Sequence, residues 1–357
     1  MGELLIYGSY GYSGTLITQT AVREGLDPTL GGRRAERVEE QATEYDLDHR
    51  VFSLEHPEIV EREVATFDAV LNCAGPYTET AEPMVSACMA TGTDYLDLAG
   101  NVDVLEWIAE RDADATAADV ALVPAVGFDV VPTDCLAATL HNAMPDATRL
   151  TLALDGFGGV STGTARSVVR GLSTPGAVRV DGHIESVPAA YRRRTIPFES
   201  GDRTAVTVPW GDVSTAYYST GVPNIEVYAA VPDIVADVMA RSRPLTPVLG
   251  TEPVQRALDA LVALVVSDPT ADERARNEAH IWGEVVDESG EAVTARMRTP
   301  DTYDLTAATA VEAAARVLDG TAGSGFQTPA SAFGPDFAED FDGVDLEILD
   351  EREAVAQ

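Results

Sequence analysis

Gly8, Gly11 and Gly14 recur every third residue, directly after the apolar run Leu4-Leu5-Ile6-Tyr7 and before the apolar-periodic stretch Thr15–Val22. A buried strand, a glycine turn and a helix in that order make a cradle for a phosphate group. Gly8 permits the sharp turn. Gly11 removes a side chain that would hold a pyrophosphate off the backbone, and Gly14 lets the helix sit close on the strand. The helix start offers free N–H groups and a partial positive charge to an anion, and Ser13 is a candidate cap for it. The spacing departs from the usual G-x-G-x-x-G, and a tight turn alone also recruits glycine. Position at the end of a strand favours the nucleotide reading. Gly8, Ser9, Tyr10, Gly11, Tyr12, Ser13 and Gly14 are therefore candidate cofactor residues.

A second candidate set begins where the second strand, Thr29-Leu30-Gly31-Gly32, runs into Arg33-Arg34. A nicotinamide cofactor without the extra phosphate is usually met there by Asp or Glu, which binds the ribose 2′-hydroxyl. A guanidinium suits a 2′-phosphate instead, so the pattern favours NADP(H) over NAD. A solvated Arg pair opening a surface helix is the plain alternative. A third set, Asn72-Cys73-Ala74-Gly75-Pro76-Tyr77, closes a strand expected from Phe67 onward. Its small residues suit the approach of a nicotinamide ring, and Tyr77 is either a proton donor or a packing ring. Asp129, in Gly127-Phe128-Asp129, is expected on a substrate-facing loop, with a helix N-terminal charge as its alternative.

These residues need elements to carry them. Residues 1–130 alternate strand and helix with short turns, which predicts a doubly wound parallel sheet with ligands at its carboxyl edge. One helix is expected over 102–118. From about Pro145 the pattern changes to strands near 148–155, 177–180, 192–198, 205–208, 225–231, 280–286 and 292–298, with a hairpin turn at Asp287-Glu288-Ser289-Gly290. Helices are expected over 162–172 and 253–267, the latter holding the apolar run Ala260–Val266, a core, subunit-interface or substrate-wall segment. Thr306–Leu318 reads as a helix, Gly320–Gly334 as a loop, and the acidic tail beyond Glu339 as frayed. The expected division is a nucleotide-binding Rossmann domain over 1–144, an α+β substrate or oligomerisation domain with a largely antiparallel sheet over 145–299, and a C-terminal helix and tail over 300–357.

Composition narrows the chemistry. The net charge is −35 over 357 residues, and all 24 basic residues are arginine. Absence of lysine excludes Schiff-base and Walker-type mechanisms. Such acidity opposes nucleic acid or anionic membrane as partner and points to a high-salt setting. The three cysteines form no C-x-x-C and read as buried thiols in a reducing cytoplasm; the five histidines show no metal spacing. No apolar run is long enough to span a membrane, and no signal peptide is expected.

The chain resembles the saccharopine dehydrogenase-like oxidoreductases, including the trans-acting enoyl reductases. The likeness rests on Gly8–Gly14, Gly32-Arg33-Arg34-Ala35-Glu36-Arg37, Asn72–Tyr77, Ala87-Cys88 with Gly92–Asp97, Gly127-Phe128-Asp129 with Pro132-Thr133-Asp134, and Thr328-Pro329-Ala330. It implies a Rossmann domain, a second α+β domain, a C-terminal segment returning to the first, and NAD(P)-dependent reduction, in some members of lipid precursors. Gly100-Asn101 stands where many members have Gly-Glu, and the catalytic lysine of lysine-forming saccharopine dehydrogenases has no counterpart here. The expected activity is reduction of an enoyl or carbonyl group on a small or lipid-like substrate. A dehydrogenase of amino-acid imines, using Arg166, Arg170 and Arg192-Arg193-Arg194 for a carboxylate, is one alternative. A non-catalytic NADP-binding sensor or partner subunit is the other, and a homodimer is compatible with any of the three.

Overall fold

The computed structural model describes residues 2–156, 175–242 and 277–349, with Thr251, Val254 and Arg256 between the last two stretches. Arg166, Arg170 and the expected helices over 162–172 and 253–267 lie outside the described residues. The chain divides into two compact units: Met1–Cys135 with Tyr303–Phe341, and Leu136–Thr302 with a second stretch from Asp342.

The first unit opens with β1 (Leu4–Tyr7), α1 (Tyr12–Arg23), β2 (Thr29–Gly32), α2 (Ala35–Tyr45), β3 (His49–Val51), α3 (Pro57–Val64) and β4 (Ala69–Asn72). It continues through α4 (Tyr77–Thr91), β5 (Asp94–Asp97), α5 (Val102–Ala109), α6 (Asp112–Ala118), β6 (Ala121–Val123) and the start of α7 (Val131–Ala143). β1 and β4 are buried at every residue, as strands covered on both faces must be. They pair in parallel, Ile6 against Leu71, while β2 flanks β1 on the other side, Ile6 against Leu30. Strand order therefore reverses between β1 and β4, and the turns after those two strands open beside one another.

The second unit carries β7 (Arg149–Asp155), β8 (Gly176–Val180), β9 (His183–Val187), β10 (Arg193–Phe198), β11 (Gly201–Thr207), α8 (Asp212–Thr220), β12 (Asn224–Ala230), α9 (Asp233–Ser242), β13 (Ala279–Val286) and β14 (Ala292–Thr299). The chain then returns to the first unit with α10 (Thr302–Leu318), β15 (Gly325–Phe326) and α11 (Pro329–Phe333), and ends in the second with β16 (Asp345–Leu349). The first sheet runs β15-β6-β5-β4-β1-β2-β3, parallel throughout. The second runs β10-β11-β12-β7-β13-β14-β16, with the β8–β9 hairpin off β12; within it β12–β7 is parallel and the other pairs are antiparallel. Gly283 of β13 admits α7, since a Cβ there would stand 2.6 Å from a Leu140 methyl.

Several local expectations give way. Ser13 does not cap α1: the helix starts at Tyr12 with Gly11 as its N-cap and no side-chain hydrogen bond. The strand expected to reach Tyr77 ends at Asn72, and Tyr77 is the first residue of α4, because Gly75-Pro76 redirects the chain. The single helix over 102–118 is two, broken at Glu110–Arg111. The stretch 320–334 is not all loop; β15 extends the parallel sheet, and Thr328 caps α11 in a reciprocal pair with Ser331. The acidic tail forms β16, Leu346 opposite Met297 and Ile348 opposite Ala295. Cys88 and Cys135 are buried, whereas Cys73 is partly exposed.

Leu71 is wholly buried at the centre of the parallel sheet. Leu71→Ala is expected to lower unfolding free energy by about 2–5 kcal/mol, read as a fall in the denaturant midpoint.

Candidate functional site

The turn after β1 is built by close approach of main chain to main chain. A Cβ on Gly14 would lie 2.4 Å from Gly8 O and 2.8 Å from Ser9 O, so α1 packs against the turn at a distance only glycine permits. Gly8 has φ +84°, and a Cβ there would meet Ala74 N at 2.7 Å, which brings the turn after β4 against the turn after β1. A Cβ on Gly11, by contrast, would meet Gly8 O at 3.3 Å and nothing else within 4 Å, so the space before α1 is open. Gly8 N–H donates to Gly31 O at 2.8 Å, and Gln41 Nε2 donates to Ser9 O at 3.0 Å. Among the described residues the buried Ser9 hydroxyl has no hydrogen-bond partner. An uncapped twelve-residue helix, an open space at its first turn and an orphaned hydroxyl beneath it fit an anionic group.

The end of β2 adjoins this turn. Gly32 carries the Tyr10 ring, whose Cε1 would stand 2.5 Å from an added Cβ. The Arg37 guanidinium lies 5.8 Å from the centre of that ring. Arg33, Arg34 and Arg37 are exposed, and among the described residues none forms an ion pair with a carboxylate. In a chain with 59 acidic and 24 basic residues, three neighbouring arginines without a carboxylate make a local reserve of positive charge.

Across the switch point, a buried polar chain joins the ends of β4, β5 and β6. Asp97 is wholly buried; its Oδ1 accepts the N–H groups of Ala99 at 2.9 Å and Ala125 at 2.8 Å, and its Oδ2 accepts the Tyr95 hydroxyl at 2.7 Å. Asn72 Nδ2 donates in turn to Tyr95 at 3.4 Å, while Asn72 Oδ1 accepts Ala74 N–H at 3.1 Å. Burial raises the Asp97 carboxyl above its usual range, and the three donors pull it back. The sequence reading missed Tyr95 and Asp97 as a linked pair. Their alternation puts both on one face of β5, and that was the available signal.

Cys73, Tyr77 and Asp129 gather beside this chain. Tyr77, partly buried, has its phenol pushed well up by desolvation and by the nearby Cys73, Asp97 and Asp129, while its oxygen accepts a backbone hydrogen bond from Leu98. Desolvation also pushes the Cys73 thiol up, which argues against a reactive thiolate. The Asp129 carboxylate lies against Gly100, where an added Cβ would stand 3.0 Å from Oδ2. Its side chain is exposed yet desolvated by its surroundings, which raises its pKa to about 6. The structure thus brings Gly8–Gly14 together with Ala74, and Tyr77 together with Asp129. Arg192, Arg193 and Arg194 lie in the other unit and are spoken for, paired with Glu226, with Asp233 and Asp237, and with Glu284 respectively.

Residues 4–123 match the family described as the saccharopine dehydrogenase NADP binding domain. The matched stretch covers β1 to β6, which includes the glycine turn, the arginines and Asn72–Tyr77. Among curated relatives, a trans-acting enoyl reductase of Mycobacterium leprae is 33% identical over 144 residues, 37% of this chain and 34% of that protein. A human saccharopine dehydrogenase-like oxidoreductase is 26% identical over 165 residues, 40% of this chain and 38% of that protein. The chain spans less than half the length of the curated relatives it matches. In fold, the apo saccharopine dehydrogenase (L-Glu forming) of Saccharomyces cerevisiae aligns with a TM-score of 0.66 at 12% identity, covering 98% of this chain and 100% of that one.

Asp129 gives a pH test. Its folded pKa of about 6 lies above the ordinary carboxylate value, so the folded state holds that proton more tightly. Stability from this group is present at low pH and is lost as pH rises from about 4 to about 6. Asp129→Asn is expected to melt higher than the wild type above pH 6, with the difference shrinking towards pH 4. A difference in melting temperature that does not vary across this range would contradict the assignment.

Proposed function

We propose that the chain is an NADP-dependent oxidoreductase that reduces an enoyl or carbonyl group of a small or lipid-like substrate. The observation that carries this reading is the set of arginines without carboxylate partners at the end of β2, set against the open glycine turn of a saccharopine dehydrogenase NADP-binding domain. Backbone N–H groups of Gly8–Gly14 and the start of α1 would hold the pyrophosphate. Arg33 and Arg34 would grip the 2′-phosphate, and the Asn72–Pro76 turn would border the nicotinamide half. The bound cofactor supplies the hydride.

The chain's own residues then have to orient the substrate and deliver a proton. Tyr77 stays protonated at any working pH because burial and neighbouring acids oppose its phenolate. Asp129, titrating near 6, holds a proton at mildly acidic pH and stands beside Tyr77. Together they form a candidate acid for the anion that hydride addition leaves on carbon or oxygen. No lysine is present to serve the chemistry of lysine-forming saccharopine enzymes, and Arg192–Arg194 already have carboxylate partners, so the imine reading is the weaker one. The enoyl reductase relatives support the choice of substrate class. The acid excess supports a high-salt setting.

NADPH fluorescence titration in high salt tests the cofactor assignment, and consumption of NADPH with enoyl and carbonyl panels tests turnover. Arg33→Ala with Arg34→Ala is expected to weaken NADPH about ten- to hundred-fold while leaving NADH nearly unchanged. Equal losses for both nucleotides would reject the 2′-phosphate role, and failure of the wild type to bind either would reject the enzyme reading.

A further inference from the structure

The loop that carries Asp129 is held by an element that enters the first unit from more than 170 residues further along the chain. Three residues on one side of α10 make the contacts. Tyr303 meets Tyr12, the first residue of α1, edge-on with ring centres 4.9 Å apart. The Thr306 hydroxyl oxygen accepts the Phe128 N–H at 3.0 Å, and the Thr309 hydroxyl donates to Val126 O at 2.8 Å. Val126 and Phe128 are buried, so water does not serve these main-chain groups. Gly127 lies between them, and a Cβ there would stand 3.0 Å from the Thr306 methyl. That clearance explains the glycine of Gly127-Phe128-Asp129 by close approach. The turn is closed from within by Val131 N–H on Gly127 O at 2.9 Å.

We propose that Thr306 is a positioning residue of the candidate site. Its hydroxyl fixes the Phe128 peptide and so sets where the adjoining Asp129 carboxyl stands against Gly100 and Tyr77. The Tyr303–Tyr12 contact fixes the same helix against the start of α1, so one element braces both the glycine turn and the acid loop. The proposal deepens the proposed reductase and rests on it only for what the Asp129 proton is used for. Among the described residues, the titratable groups acting on Tyr77 of α4 are Cys73 after β4, Asp97 at the end of β5 and Asp129 itself.

Side-chain carboxyl 13C resonances of the full chain, followed against pH with Asp129→Asn as the assignment control, read the position of this carboxyl directly. The wild-type midpoint is expected near 6. Thr306→Val keeps the shape and removes the acceptor; the Phe128 peptide is then released, the Asp129 carboxyl moves away from the groups that desolvate it, and the midpoint falls by about one unit. Thr306→Ser restores the hydroxyl and returns the midpoint. If Thr306→Val does not fold, Gly127→Ala, which presses on the Thr306 methyl, carries the same expectation. An unchanged midpoint in a folded Thr306→Val, or Thr306→Ser moving as far as Thr306→Val, would overturn the proposal. NADPH titration of the same variants is expected to change less than about three-fold, because the pyrophosphate cradle is untouched. Absence of NADPH binding by the wild type would remove the cofactor reading alone, since the midpoint is measured without cofactor.

Discussion

The carboxyl edge of the parallel sheet is organised around one buried carboxyl group, Asp97. Removing a carboxylate from water costs several kcal/mol unless it is paired or fully hydrogen-bonded. Asp97 meets that condition with two backbone N–H groups and one phenol, drawn from beyond β5, from beyond β6 and from within β5. The groups that satisfy the charge are therefore the groups whose positions define the site. Asn72, reached through Tyr95, extends the constraint to the turn after β4. A loop edge would otherwise be free to drift; here the ends of β5 and β6 are tied to one oxygen pair and that of β4 is joined to it through Tyr95.

The other half of the site depends on missing side chains. Gly14 against Gly8 and Ser9, Gly8 against Ala74, and Gly32 under Tyr10 each place backbone or ring closer than any Cβ would allow. These contacts leave the first turn of α1 open and uncapped, which concentrates donor capacity where an anion would sit. The chain's acid excess makes the neighbouring Arg33, Arg34 and Arg37 more telling. Arg192–Arg194 and Arg316 find carboxylates, whereas among the described residues Arg33, Arg34 and Arg37 do not.

What the sequence made legible was local. A buried strand running into glycines and an apolar-periodic helix needs no distant partner to be recognised, and neither does the βα alternation that follows. The start of α4 at Tyr77 was hidden because Asn72–Pro76 reads as one extended run, while the Gly75-Pro76 turn ends it early. β16 was hidden because Asp345 and Glu347 look like solvated tail; only pairing with β14 makes it a strand, with Leu346 half-buried and Ile348 still exposed. Thr306 was least legible of all, since its role is set by a hydrogen bond across 178 positions. Threonine in an Ala-rich helix carries no mark of such a partner.

Desolvation by the surrounding protein acts on Tyr77 and Asp129 in the same direction. A phenol and a carboxyl whose pKa values both rise keep their protons to higher pH; each is a weaker acid and, once ionised, a stronger base. A reductive step that leaves negative charge on the substrate needs an acid, whereas abstraction of a substrate proton needs a base with ready access to its anion. The Asp129 carboxyl, near 6, is the more easily discharged of the two, and Tyr77 beside it stays neutral. Below about pH 6 the pair carries two protons, the state that a step leaving negative charge on a bound group would draw on.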